Sequence, residues 1–499
     1  MELQFNRSNI NCLKTLTRRL QTQELTQELR LPEGMPDIGR VLGCWSQVIL
    51  RGKEWRNGSI GATGGAKVWT LYEPEDGGNA CCMESWLPFQ LKWEIPDTRH
   101  DGSILLQPYL RSTDARTLSA RKMLLRVDLG MLAEAVVSAE AEVFKPAELS
   151  EDIQLLRKNY PVMIPKETGE KAFTIEETLT LPASNPQPVK LVRYDLRPEL
   201  VDKKVMGDKV IFRGAALGHI LYQSEDGHLH GWDFEIPFSQ YAQLDNDYSE
   251  NATVGVIPVL TELELERNEN GGFNLKAGMT GQFVVYETEQ VEVVEDAYST
   301  SRTSKIKMQT LELPVILDKG LETIRAEVNI PLAAELVADV AFYCDYPRLN
   351  WEDDETEAEL TGCFQLLYYD DSGRLQNTSC EWRGAWKTEA DRNADVQLRT
   401  SHSGVPLAML SADNLCACGD LLLEVATKCQ HSMEMVTELE LGEKIVPDGN
   451  RPSLILRRAG EEGLWQIAKE TGSTIDLILR TNGLSQEPEA GKMLLIPVV

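Results

Sequence analysis

Three proline-anchored segments recur along the chain: ELRLPEGMPDI at Pro32, TLTLPASNPQP at Pro182 and EVNIPLAAEL at Pro331, spaced 150 and 149 residues apart. Each is followed at a matched distance by a tyrosine ahead of an acidic turn, in WTLYEPEDGG (Tyr72), HILYQSEDGH (Tyr222) and QLLYYDDSGR (Tyr368). A glycine precedes each tyrosine (Gly64, Gly214, Gly362) and a tryptophan follows it (Trp86, Trp232, Trp382). Landmarks in the same order in three copies predict three homologous domains. A period this long is one whole domain per copy rather than a solenoid unit.

The landmarks point to β structure. An apolar strand end followed by an Asp/Ser-Gly turn is a hairpin signal. HLHGWDFEIPF alternates, with Leu229, Gly231 and Asp233 on one face and His230, Trp232, Phe234 and Ile236 on the other. GQFVVYETEQVEVVED reads as a long strand, interrupted or bent near Thr288 and Glu289. One helix is expected inside the repeats, SEDIQLLRKNY from Ser150 to Tyr160, with Ser150 as its N-cap. Strand–helix alternation is otherwise missing, so each repeat is expected to be a β-sandwich-like unit. The tyrosines and tryptophans are read as core anchors. The expected fold is mainly β: three tandem repeats over 1–148, 149–300 and 301–445, a linker at 446–452, and a small domain at 453–499.

Composition narrows the function. A formal net charge of -28 disfavours nucleic acid and anionic lipid, which select basic surfaces. The first residues, MELQFNRSNINCLKTLTRRL, carry no apolar signal core, and no run is long enough to span a membrane. A cytoplasmic protein is therefore expected. The ten cysteines include no C-x-x-C pair. Cys81-Cys82 and Cys416-x-Cys418 could hold a soft metal, but reduced buried thiols are the simpler reading. His228 and His230 form a possible metal pair with no third ligand evident. No G-x-S-x-G, phosphate loop or carboxylate pair stands out, so no catalytic residue, cofactor or metal is assigned.

The last 48 residues differ in kind. GEKIVPDGNRP has linker composition, and SLILRR reads as a strand with Leu454 and Leu456 on one face. Leu464, Ile467 and Ala468 form a helical stripe, and Gly472 stops that helix. Ser473 is expected to cap a second helix with the stripe Ile475, Ile478 and Leu479, ended by Asn482-Gly483. KMLLIP closes the unit as a strand. This β-α-α-β order, with Gly460, Leu464, Trp465, Ile467, Ala468, Thr474, Leu477 or Ile478, Asn482, Gly491, Leu494, Ile496 and Pro497 in the family's places, resembles a LysM domain. The resemblance implies a shallow groove between the loops 459–463 and 484–489. Its candidate binding residues are Gly460, Glu461, Glu462, Gly463, Leu464, Asn482, Gly483, Leu484, Gln486 and Pro488. The family's G-D-T-L-W reads GEEGLW here, one residue longer.

LPEGMPDIGRVLG, DARTLSARKMLLRVDLG and GDKVIFRGAALGHILY resemble the SPOCS domains of SipL- and SpoVID-type spore coat proteins. That resemblance implies a non-catalytic morphogenetic scaffold in the mother cell, at the forespore surface. Its implied partner is a SpoIVA-type coat morphogenetic ATPase or another coat protein, held by the LysM domain. The alternative reading is a peptidoglycan-binding protein that recognises N-acetylglucosamine polymers.

Overall fold

The computed structural model describes residues 2–96, 102–145, 150–352, 355–388, 395–411, 414–446, 452–460 and 462–498. The fold is mainly β, with two short helices near the C-terminus. The first stretch holds β1 (Glu2–Gln4), β2 (Asn6–Arg30), β3 (Ile38–Arg56), β4 (Ser59–Pro74), β5 (Cys81–Glu94), β6 (Ser103–Ser119) and β7 (Lys122–Lys145). The second holds β8 (Ile153–Leu179), β9 (Pro188–Ser224), β10 (Leu229–Tyr248), β11 (Thr253–Arg267) and β12 (Phe273–Ser299). The third holds β13 (Arg302–Ile330), β14 (Leu336–Cys344), β15 (Arg348–Glu352), β16 (Glu355–Tyr369), β17 (Leu375–Thr388), β18 (Asp395–Ser411) and β19 (Asn414–Lys444).

One pairing scheme occurs three times. The opening strand of each stretch pairs antiparallel with its closing strand, which also takes the penultimate strand: β2–β7–β6, β8–β12–β11 and β13–β19–β18. The middle strands form a separate sheet, β3–β4–β5, β9–β10, and β14–β16 with β15 and β17. The opening strands run for 25 to 29 residues, far beyond the usual five or six. Each carries a one-residue bulge at a matching place, at Leu16, Lys166 and Leu317. A bulge bends a strand and raises its twist, which lets one strand serve two cores. On the far side of the bulges, Phe5, Val143, Ile164, Val293, Leu313 and Leu439 from all three stretches pack into one shared core. On the near side the stretches pack around Tyr72, Tyr222 and Phe364. A short backbone seam closes the circuit, for β1 pairs with β19.

The landmark glycines have a common cause. A side chain at Gly64 would meet the Ile49 carbonyl at 2.2 Å and the Phe89 ring at 2.7 Å. At Gly214 it would meet the Glu199 carbonyl at 2.0 Å and the Phe238 ring at 2.9 Å, and at Gly362 the Phe342 ring and the Tyr343 carbonyl, both at 2.7 Å. In each case the missing Cβ leaves room for a neighbouring phenylalanine to lie across the strand. Tyr72, Tyr222 and Tyr368 are buried, as anchors should be. Of the three landmark tryptophans only Trp382 is buried; Trp86 and Trp232 are half-covered, Trp86 by the guanidinium of Arg51 at 4.4 Å.

Two local expectations are corrected. Residues 153–160 are strand, not helix, because the whole of Ile153–Tyr160 pairs with Val291–Ser299 of β12. The leucines there mimic a helical stripe, but the ladder overrides a weak propensity. Ser150 lies in a turn, its carbonyl accepting from Ile153 N–H at 3.0 Å. Strand β12 is also uninterrupted at Thr288–Glu289; the nearby register slip that can bend it lies between Val285 and Tyr286, and a second between Val294 and Asp296.

Candidate functional site

The C-terminal residues form β20 (Leu454–Arg458), α1 (Gly463–Thr471), α2 (Ile475–Asn482) and β21 (Met493–Pro497), with the two strands antiparallel. Gly472 ends α1 in the left-handed region at φ 66°, and both its N–H and that of Ser473 bond to the Ala468 carbonyl. That corrects the expected cap. Ser473 is used to end α1, so Thr474, extended at φ -127°, caps α2 by accepting the Leu477 N–H at 3.2 Å. Ile455, Leu494 and Ile496 face the small core, while Leu454 and Leu456 share the outward face and are exposed.

The structure brings some of the candidate groove residues together and disperses others. The Leu464 N–H donates to Glu487 Oε1 at 3.1 Å, which sets the start of α1 beside the 484–488 loop. The Glu462 carboxylate folds over Gly460, where a Cβ would meet its Oε2 at 2.1 Å, and takes the Arg457 guanidinium at 3.1 Å. Gly463, at φ 71°, makes the turn between them. Leu464 is buried and serves the core. Gln486 is exposed and Pro488 is half-buried on the loop. Glu461 lies outside the described residues, as do 447–451 of the linker. Asn482 has a structural task instead. Its amide donates to the carbonyls of Ile478 and Leu495 and accepts the Leu495 N–H, all within 2.8 Å, so it occupies the free edge of β21. Gly483 closes α2 at φ 61°, and Leu484 packs on the core. The carboxylates of Glu462 and Glu487 thus flank the start of α1.

Trp465 does not face that groove. Its ring stands edge-on to Tyr298 of β12 at 4.9 Å, and its N–H donates to Asp296. Lys469 binds the same carboxylate, and the Tyr298 hydroxyl donates to the Ser473 carbonyl at 2.9 Å. Tyr298 is thus a core residue of the C-terminal unit supplied by the body.

A second concentration of polar groups lies where the three stretches meet, and sequence reasoning missed it. Arg193 of β9 grips Asp339 of β14 through two hydrogen bonds at 2.8 and 2.9 Å, and Asp195 at 2.8 Å, with its guanidinium over the Trp45 ring at 5.2 Å. His219 lies between Asp339 (2.9 Å) and Asp233 (2.6 Å). Burial disfavours its charged form, yet the two carboxylates outweigh burial and lift its pKa to about 9. On another seam, buried Glu134 of β7 faces Arg399 at 2.7 Å, Lys428 at 3.4 Å and Arg18 at 4.0 Å. Burial alone would raise its pKa, but Lys428, Arg399 and Arg18 prevail and hold it at about 2. Asp339 and Glu134 lie more than a hundred residues from their cationic partners, and no spacing signal links them. Beside the Arg193 network opens a cavity of about 310 Å³, walled chiefly by β3 and β6, by β9 and β11, and by β14, β18 and β19, with Trp69 of β4 and Leu321 of β13. All three stretches contribute to it. His228 and His230 gather no third ligand: His228 meets Asp226 at 3.3 Å, and His230 lies against Tyr222. Among the described residues no group of three or more metal-binding side chains converges.

Residues 189–267, which span most of β9 through β11, match the family described as SipL, SPOCS domain. No curated protein and no solved structure matches the chain. The likeness to that family is confined to this part of the second stretch. No helix among the described residues is long and apolar enough to cross a membrane.

Proposed function

We propose that this chain is a non-catalytic scaffold of the spore coat. In this reading 1–148, 149–300 and 301–445 are three SPOCS-type units, 446–452 is a linker, and 453–499 is a LysM-type docking module. The module holds a basement-layer coat protein of the SpoIVA-type ATPase class at the forespore surface of the mother cell. The match of residues 189–267 to the SipL SPOCS family carries the proposal.

The groove supports a protein partner over a glycan. Glu487 already takes the Leu464 N–H, a backbone donor of the kind a sugar oxygen would use, and Glu462 covers Gly460. Two carboxylates at the rim favour basic side chains or ammonium groups and repel the anionic peptides of peptidoglycan. The test is capture from sporulating-cell lysate by the full chain, run beside peptidoglycan sedimentation, with Glu462→Lys and Glu487→Lys variants. Capture of a coat ATPase that the charge reversals weaken tenfold or more supports docking through this groove. Sedimentation with peptidoglycan and no protein capture overturns the docking reading and establishes a wall binder.

A further inference from the structure

The cavity at the junction of the three stretches is bounded mainly by apolar side chains, among them Val48, Val256, Leu260 and Phe342. Its volume, about 310 Å³, falls in the range of small-molecule sites. Leu321 and Val201 stand at its margin and are 62% and 79% exposed. All but one of the charged groups of the lining are already engaged. Arg193 and Arg197 share Asp195, Lys203 pairs with Glu424, and Arg399 pairs with Glu134. Glu199 accepts from Ser403 and the Gly404 N–H. Asp202, exposed at the margin, makes no ion pair among the described residues.

The polar groups left over are uncharged: His402, and the buried hydroxyls of Tyr109, Tyr343 and Thr400, which have no hydrogen-bond partner among the described residues. His402 lines the cavity with its ring edge-on to Phe342 at 5.4 Å, and its nitrogens make no hydrogen bond among the described residues. A neutral imidazole offers one donor and one acceptor. A hydroxyl complements both at once, and a carbonyl complements the donor. An ionic ligand would be stripped of water in a place where the buried countercharges are spent, which costs more than it returns.

We propose that this cavity is a binding site for an uncharged, mainly apolar small molecule carrying a hydroxyl or carbonyl group, oriented by His402. Burial, reinforced by the cation of Arg197, pushes the His402 pKa down to about 3, so the imidazole stays neutral at every physiological pH. Because the walls come from all three stretches, a bound molecule touches each of them and stabilises their assembly by mass action. This inference is independent of the coat assignment and of the C-terminal groove.

The experiment is isothermal titration of the full chain with 2-naphthol and with 2-naphthoate, two probes of one shape that differ in charge. Saturable binding of 2-naphthol at one site per chain is expected, with 2-naphthoate at least tenfold weaker. His402→Phe keeps the ring and removes the hydrogen bond, and should weaken 2-naphthol about fivefold. Leu321→Trp fills the mouth from an exposed position and should abolish binding; a melting curve like that of the parent shows that the fold is intact. Failure of 2-naphthol to saturate, equal affinity for 2-naphthoate, or binding that neither variant alters overturns the proposal.

Discussion

Asp296 receives the indole N–H of Trp465 at 2.7 Å, across the boundary between β12 and the C-terminal unit. The side chain is aimed there by the register slip between Val294 and Asp296. Both of its oxygens also lie 2.7 Å from Lys469 Nζ. One carboxylate therefore ties helix α1 to the body at two points a helical turn apart, while Tyr298 fills the core from beneath.

Replacing Asp296 by alanine leaves the half-buried indole N–H and the Lys469 ammonium without their acceptor. A loss of about 2–3 kcal/mol in docking is expected, since a charge-assisted bond and an unsatisfied donor are both involved. The readout is the rate of proteolysis within 446–452, which should rise at least tenfold while the body stays resistant. Trp465→Phe, which keeps a ring against Tyr298, should show a smaller rise. An unchanged rate in Asp296→Ala would remove the anchor from the account.

Gly214→Ala tests why the landmark glycines stand where they do. The new methyl would sit 2.0 Å from the Glu199 carbonyl, so backbone must move, and a cost above about 3 kcal/mol is expected. Gly373 is the control. It adopts φ 73° but has nothing within 4 Å, so Ala there should cost only about 1 kcal/mol. Urea denaturation midpoints separate the two, and equal losses would show that crowding at Gly214 is relieved by small shifts.

What the sequence revealed follows from which forces are local. Turn chemistry at Asp76-Gly77 and Asp226-Gly227 made the mainly β architecture readable. Gly472 and Gly483 marked both helix ends correctly because a left-handed residue is a local demand. Residues 153–160 misled because their leucine spacing satisfies a helix, while the partner that makes them strand lies 130 or more residues away in β12. Asn482 looked like part of a binding loop; only the structure reveals that it caps the edge of β21. The Arg193, His219 and Asp339 network was illegible for the same reason: Asp339 comes from another stretch of the chain, and buried ion pairs leave no periodic signature.

Glu134→Gln separates a buried ion cluster from a surface one. The variant leaves Arg18, Arg399 and Lys428 facing a neutral amide, and a loss of about 3–5 kcal/mol at pH 7 is expected. The sign with pH is fixed by the lowered pKa of about 2. The contribution is complete above the ordinary glutamate value and fades as pH falls toward 2, because the unfolded chain takes up the proton first. Guanidinium unfolding should therefore show the gap between parent and variant shrinking by about half between pH 7 and pH 3. A gap that stays constant from pH 7 to pH 3 would assign the loss to packing.

His219 makes the opposite prediction. Its imidazole is faced by Asp233 from β10 and Asp339 from β14, with Arg193 and Asp195 of β9 close behind. The folded pKa of about 9 lies above the ordinary histidine value near 6.5, so the native state holds a proton that the unfolded chain releases. The stabilisation is complete below pH 6.5 and is lost as pH rises through 9. From the size of the shift it amounts to about 3 kcal/mol at most. Urea unfolding of the full chain should lose stability steadily over that window, and His219→Gln should flatten the slope while lowering stability at pH 6. Because Asp339 keeps its two bonds to Arg193 in the variant, the strands stay joined and the change in slope reads the histidine alone. A parent chain whose stability is flat from pH 6.5 to 9 would mean that His219 is neutral between its two carboxylates.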